Sequence, residues 1–116
     1  MANNAFFFAW NRPIPGRERI SQAHFGDFSE YLANLQRDGT IESFDVVLLD
    51  PHGGDLNGFF LIRGEPSQLD VLAASEAWQT HMTRATLHLM GAGAIRGVTR
   101  GEVATRMARW GGLLPD

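Results

Sequence analysis

The chain contains no cysteine and no lysine, although it has 116 residues and its basic side chains are all arginine. Without cysteine there are no disulfides, no thiolate nucleophiles and no cysteine-based metal sites. Without lysine there is neither a Schiff base nor the lysine of a P-loop. Any chemistry must therefore come from His, Asp, Glu, Ser or Thr, from the single tyrosine, Tyr31, or from a bound molecule.

The chain also lacks a block of basic charge and a long apolar run. Its net charge is −3 and its arginines are scattered, which does not favour a nucleic-acid partner. No apolar run approaches the roughly 20 residues that cross a bilayer, and no basic segment of the kind that opens a signal peptide is present. The composition predicts a cytoplasmic protein with no membrane partner, forming one domain over residues 1–116.

Hydrophobic periodicity predicts the order strand, helix, strand, strand, helix, strand, followed by a last helix. The predicted strands cover residues 5–10, 40–49, 56–64 and 86–96. The predicted helices cover residues 16–37 and 65–85, with a kink at 75–76, and a segment that starts at 99. The last helix is expected to begin with a capping box formed by Thr99 and Glu102.

This order is that of a ferredoxin-like α+β fold with a four-stranded antiparallel sheet. The strands are apolar on both faces, as the consecutive Phe6, Phe7 and Phe8 show, yet two helices cover only one face of such a sheet. Monomers rarely expose a large apolar surface. The pattern therefore predicts a homodimer in which a second copy packs sheet to sheet.

The element order, the two-sided strands and the run from His24 through Gly39, Gly58 and Ser67 resemble the dimeric α+β barrel superfamily. Within it, the chain is most similar to small bacterial YCII-like proteins, over about residues 6–97. The superfamily includes cofactor-independent monooxygenases, lactone isomerases, haem-binding proteins and amino-acid-sensing domains. The resemblance therefore implies the fold but does not determine the activity.

YCII-like proteins carry a histidine on the first helix and an Asp-Pro pair near the second, and both face a common cleft. His24 matches the histidine. Ser75 and Glu76 stand where the Asp-Pro pair is expected, so only Glu76 is available as the carboxylate. The resemblance implies His24 and Glu76 as a catalytic pair, since an imidazole beside a carboxylate is a general base near neutral pH.

Four further side chains are candidates for binding a ligand in that cleft. They are Tyr31, Arg63, Trp78 and His88. Each candidate also has a structural interpretation: His24, Tyr31 and Trp78 as core residues, Arg63 as a strand-end side chain reaching solvent, and His88 as a residue filling one sheet face. His81 and His88 lack the spacing of known histidine metal motifs, so neither a metal nor a tightly bound cofactor is expected.

The segment LDPHGGDLNGFF, residues 49–60, has two interpretations. Its histidine and aspartates are compatible with a loop that binds a metal. Its glycines, placed between two strongly apolar strands, favour a β-hairpin turn instead.

Together these features predict a homodimer that binds a small, mostly apolar organic molecule. The first hypothesis is an enzyme that moves a proton with His24, assisted by Glu76, Tyr31 or Arg63. The alternatives are a regulatory module that only recognises a ligand, and a structural dimer.

Overall fold

The computed structural model describes all residues from Met1 to Asp116. In chain order its elements are β1 (Asn4–Trp10), β2 (Arg12–Pro13), α1 (Glu18–Arg37), β3 (Ser43–Leu48), β4 (Gly58–Gly64), α2 (Pro66–Ala74), α3 (Glu76–Thr86), β5 (Leu89–Met90), β6 (Gly93–Val98) and α4 (Gly101–Gly112). None of the four helices combines the length and the apolar character that crossing a membrane requires.

The main sheet has the order β3-β4-β1-β6, and each neighbouring pair is antiparallel. Strands β2 and β5 form a separate two-stranded ribbon. Because the first and last strands lie side by side and the hairpin strand β3 lies at an edge, the topology is ferredoxin-like. The predicted α+β fold with a four-stranded antiparallel sheet is confirmed.

The core lies between the helices and one face of the sheet, which we call the inner face. On this face Phe6 and Phe8 of β1 lie beside Phe60 and Ile62 of β4. The helices add further buried side chains: Phe28, Leu32, Leu69, Leu72, Trp78 and Ala85. The alternation of buried and partly exposed residues along β4 shows that its other face, the outer face, has no such cover.

Helix α1 presents His24, Phe28 and Leu32 to the core, at the four-residue spacing of one helical face. Ile20, four residues before His24, has the same spacing but is exposed. The helix ends at Asp38, and the positive φ of 81° at Gly39 turns the chain away. The core therefore contacts α1 only from its second turn onward.

The predicted kink at 75–76 is a complete break between α2 and α3. The Ser75 hydroxyl donates to the carbonyl of Leu72 at 2.7 Å and accepts from the backbone N–H of Trp78 at 3.3 Å. One serine thus ends the first helix and caps the second.

The predicted strand over 86–96 is wrong for residues 86–88 and is interrupted at 91–92, so that only Leu89–Met90 and Gly93–Val98 are strands. Helix α3 extends to Thr86, and the backbone N–H groups of Leu87 and His88 donate to carbonyls of that helix. Gly91, with a φ of 64°, then separates β5 from β6. Alternating apolar residues suggested a strand, but these turn hydrogen bonds place His88 in the turn after α3 rather than on a sheet face.

The predicted capping box at Thr99 and Glu102 does not form. Thr99 still follows the sheet, since its N–H donates to the carbonyl of Asn3 at 2.8 Å. The cap position is Arg100, with a φ of 55°, and the Thr99 hydroxyl is buried without a partner. Helix α4 therefore begins at Gly101, and no residue of it is buried.

The segment between β3 and β4 is a hairpin turn, as its glycines predicted. The His52 imidazole donates from Nε2 to the carbonyl of Leu56 at 2.6 Å and accepts at Nδ1 from the N–H of Gly54 at 3.1 Å. Gly53 supplies a φ of 79°. His52 therefore stabilises its own loop.

Gly58 is required where β4 passes beneath Trp10. A Cβ at this position would lie 2.5 Å from Cζ2 of Trp10, its partner across the strands. Gly58→Ala must displace the indole, so we expect a loss of about 1–3 kcal/mol in the free energy of unfolding, measured in urea. Gly26→Ala is the matched control, because a Cβ there meets nothing within 4 Å. The free energy of unfolding of this control should rise by about 0.5–1 kcal/mol, because alanine is favoured over glycine in the interior of a helix. A Gly58→Ala variant as stable as the wild type would contradict this account.

Candidate functional site

A cavity of about 260 Å³ lies between the inner face of the sheet and the N-terminal half of α1. Five of its thirteen lining residues are Phe or Trp and come from β1, β4 and α1: Phe8, Trp10, Phe25, Phe28 and Phe60. Its polar lining comes from Glu18, Ser21, Gln22, His24 and His88. An apolar cavity with a few polar groups at one side is the usual form of a small-molecule site.

Three histidines and one serine form a continuous line of hydrogen bonds beside this cavity, which we call the histidine chain. The Ser21 hydroxyl lies 2.6 Å from Nδ1 of His88, and Nε2 of His88 lies 2.7 Å from Nδ1 of His24. Nε2 of His24 lies 3.0 Å from Nδ1 of His81. Both ring nitrogens of His24 and of His88 are therefore engaged, whereas His81 is engaged only at Nδ1.

Three segments bring these side chains together. Ser21 and His24 lie three residues apart on α1 and so share one helical face. His81 projects from α3. The turn after α3 returns His88 toward α1, and the Arg17 side chain donates to the carbonyl of Leu87 in that turn.

Burial keeps the histidine chain uncharged at neutral pH. His24 and His88 are only 3% and 2% exposed. The pKa of His24 is lowered from 6.5 to about 4, first by burial and then by the charge of nearby Arg84. The pKa values of His81 and His88 are also lowered, again first by burial and then by Arg84. Arg84 itself pairs with Asp27 at 2.8 Å.

A neutral imidazole donates from one nitrogen and accepts at the other. The histidine chain can therefore be protonated in two consistent directions. In one direction the Ser21 hydroxyl donates to His88, which donates to His24, which donates to His81. In the other direction every donor and acceptor is exchanged. The nitrogens face one another in pairs and do not converge on a point, which differs from the arrangement that a tetrahedral metal ion needs.

The structure brings His24 and His88 together but leaves the predicted carboxylate apart. Glu76 is exposed at the first turn of α3 and makes no hydrogen bond with His24. Both ring nitrogens of His24 are taken by other histidines. A direct proton transfer between His24 and a ligand would therefore first require one of these bonds to break.

The other predicted ligand-binding residues lie outside the cavity lining. Arg63 is on the outer face and pairs with Asp45 at 2.7 Å. Trp78 is buried in the core, where its ring stacks on Phe6 with centroids 4.9 Å apart. Tyr31 packs against His81, with ring centroids 4.4 Å apart, and burial raises its pKa.

Ser21 and the grouping of the three histidines were not found from the sequence. The spacing of Ser21 and His24 was a usable signal, since residues three apart share a helix face. His81 and His88 were considered separately because a strand was expected to begin between them. The helix that in fact continues to Thr86 places them on one side of α1.

Comparison with solved structures relates the chain to two proteins of similar fold. A dimeric protein of unknown function and ferredoxin-like fold from Bacteroides fragilis aligns with a TM-score of 0.57 and 11% identity, covering 82% of this chain and 95% of that one. SnoaB, a cofactor-independent oxygenase from Streptomyces nogalater, aligns with a TM-score of 0.51 and 14% identity, covering 86% and 94%. No protein-family model and no curated protein matches the sequence. These likenesses show a shared fold, and they agree with the predicted ferredoxin-like architecture.

The lowered histidine pKa values predict a loss of stability in mild acid. An unfolded histidine binds a proton below about pH 6.5, whereas folded His24 does so only near pH 4. Since the unfolded state then binds more protons, the free energy of unfolding should fall as pH falls from 6.5 toward 4, by at most about 1.4 kcal/mol per pH unit for His24. Urea unfolding at several pH values between 7.5 and 5 measures this slope.

A His24→Gln variant separates this effect from the titration of carboxylates. The variant should be less stable at neutral pH, because it loses buried hydrogen bonds. Its stability should nevertheless fall less steeply between pH 7 and pH 5 than that of the wild type. Equal slopes for the two proteins would show that His24 is not held neutral by burial.

Proposed function

We propose that this protein binds a small, mostly apolar organic molecule in the cavity beneath α1 and removes a proton from it. The observation that carries the proposal is the contact between an aromatic cavity and the Ser21 end of the histidine chain. The aromatic wall favours a flat, apolar ring system. The hydroxyl and the imidazoles supply an acceptor and a route for one proton.

The substrate class follows from the charges around the cavity. No arginine lines the cavity: Arg63 and Arg84 pair with Asp45 and Asp27, and the Arg17 side chain donates to the carbonyl of Leu87. The lining itself therefore offers no cation for a carboxylate or phosphate. Glu18 lines the cavity, but its carboxylate accepts from the N–H of Gly16 at 3.0 Å. A neutral carbon or oxygen acid, such as a ketone with acidic C–H bonds or a phenol, fits this lining best.

SnoaB is a cofactor-independent oxygenase, and the present chain shares its fold. This likeness is compatible with chemistry that starts from a deprotonated substrate and needs no cofactor. A relationship to the YCII-like proteins is part of the same proposal, supported by His24 on the first helix. Ser75 and Glu76 in place of the Asp-Pro pair distinguish this chain from that family's pattern.

We expect 2-tetralone, a neutral two-ring ketone, to bind and to exchange its acidic C–H protons for deuterium. Saturation-transfer NMR measures the binding, and the loss of the C–H signals in heavy water measures the exchange. Leu48, at the edge of the cavity, is exposed, so Leu48→Trp should obstruct the cavity and weaken binding at least tenfold. Val71→Trp, on the exposed side of α2 and outside the cavity lining, is the matched control.

The two main hypotheses differ in one outcome of this experiment. Binding with no faster exchange than free 2-tetralone would support a module that only recognises a ligand. Binding that Leu48→Trp leaves unchanged would place the ligand elsewhere and refute the proposed site.

The proposal includes a homodimer formed through the outer face of the sheet. This face carries Phe7, Phe59 and Ile95, and Ile95 is 64% exposed. The radius of gyration is 15.9 Å, against about 13 Å for a compact chain of similar length. The amphipathic α4, whose Trp110 is exposed, contributes to this elongated shape, and the similar Bacteroides fragilis protein is dimeric.

Light scattering should give the mass of two chains at micromolar concentration. Ile95→Glu should shift this mass toward one chain, because a carboxylate would be buried unpaired between two apolar sheets. Val71→Glu, a similar change at a residue that is 67% exposed on α2, should leave the dimer intact. A wild type of one-chain mass would refute the dimer.

A further inference from the structure

We propose that the histidine chain is a proton relay in which Ser21 takes the proton from the ligand and His81 releases a proton to solvent. The inference rests on the proposed function for the chemical class of the ligand. It assigns the contact with the ligand to Ser21 and gives His24 the role of an internal carrier.

Ser21 is the member of the histidine chain with unused hydrogen-bonding capacity beside the cavity. Ser21 lines the cavity, and its hydroxyl makes one hydrogen bond, to Nδ1 of His88. A hydroxyl has one donor and two acceptor positions, so it can bond His88 and a ligand together. His24 and His88 also line the cavity, but both nitrogens of each ring are already engaged.

His81 forms the opposite end of the relay. Its Nδ1 faces His24, and its Nε2 has no protein partner. The His81 side chain is partly exposed, and its unbonded Nε2 is not a buried atom, so this nitrogen is accessible to solvent. His81 does not line the cavity. The four side chains therefore connect the cavity with bulk water.

The proton balance leaves Ser21 and all three imidazoles neutral, and the negative charge that forms is on the deprotonated ligand. Before transfer, the Ser21 hydroxyl donates to His88, His88 donates to His24, and His24 donates to His81. The ligand's C–H or O–H bond then breaks, its proton goes to the Ser21 oxygen, and the original hydroxyl proton moves to Nδ1 of His88. Each imidazole passes its proton onward, and Nε2 of His81 loses its proton to water. The ligand keeps the electron pair, and return of a proton through the same chain resets it.

The surroundings favour this concerted passage over a charged intermediate. The low pKa of His24 shows that an imidazolium is disfavoured at its position. The positive charge of Arg84, which lies next to the histidine chain, opposes a second positive charge on His24. Asp27 would favour such a charge, but it is paired with Arg84. A relay in which every ring stays neutral avoids that penalty.

The first test needs no ligand and uses ¹⁵N-histidine NMR of the wild-type protein. The spectra should show couplings across the N–H···N hydrogen bonds that link His24 to both His81 and His88. All three rings should be neutral at pH 7, and His52 should show an N–H at Nε2 as an internal reference. A missing coupling on either side of His24, or a charged ring in the chain at pH 7, would overturn the relay.

The second test follows deuterium exchange of 2-tetralone in variants at the two ends of the relay. Ser21→Ala should slow exchange at least tenfold, with binding changed less than threefold, whereas Ser21→Thr keeps a hydroxyl and should retain most of the rate. The glutamine of His81→Gln can still hydrogen-bond His24 but cannot pass a proton. This variant should therefore slow exchange as much as Ser21→Ala does, with the affinity for 2-tetralone unchanged. Wild-type rates in Ser21→Ala or His81→Gln would overturn the relay.

The two tests separate this inference from the proposed function. If 2-tetralone binds and the wild type does not accelerate its exchange, proton removal is refuted for this ligand class. The histidine chain is then judged by the NMR result alone. If the wild type accelerates the exchange and either end variant exchanges at the wild-type rate, the function stands and the relay is wrong.

Discussion

The two hydrogen bonds that hold His24 between His81 and His88 govern both the packing of α1 and the chemistry open to the cavity. A polar ring at the centre of a buried helix face is tolerated only if its nitrogens are satisfied. Here the partners come from α3 and from the turn that follows it. The same contacts therefore tie three segments together and set the polar side of an otherwise aromatic cavity.

Because the hydrogen-bond partners of His24 are imidazoles and not carboxylates, the histidine chain carries no fixed charge. A carboxylate beside His24 would raise its pKa and make it a base that holds a proton. In this protein burial and Arg84 lower that pKa instead. The site is therefore suited to passing a proton and poorly suited to storing one, which distinguishes it from the His and Asp-Pro pattern of the YCII-like proteins.

The sequence predicts the architecture because its strongest signals are local. Apolar strands, a helical stripe through His24 and Phe28, and glycines at the turns determine element order without reference to distant contacts. The errors lie where local preference and tertiary contacts disagree. The segment after Thr86 has the composition of a strand, but distant contacts are made by the turn there: the N–H of Ile14 donates to the carbonyl of His88 at 2.7 Å, and the Arg17 side chain donates to that of Leu87.

The site was less predictable than the fold for the same reason. His24 and His88 are both candidates by sequence, yet 64 residues separate them. Their hydrogen bond depends on the turn after α3, which the sequence did not predict. The resemblance pairs Glu76 with His24, but Glu76 lies at the exposed start of α3. The residue of α3 that contacts His24 is His81, about one turn further along the helix. Three neutral rings in series require a hydrogen-bonding group or a solvent contact at each end. Ser21 and the accessible Nε2 of His81 meet that requirement.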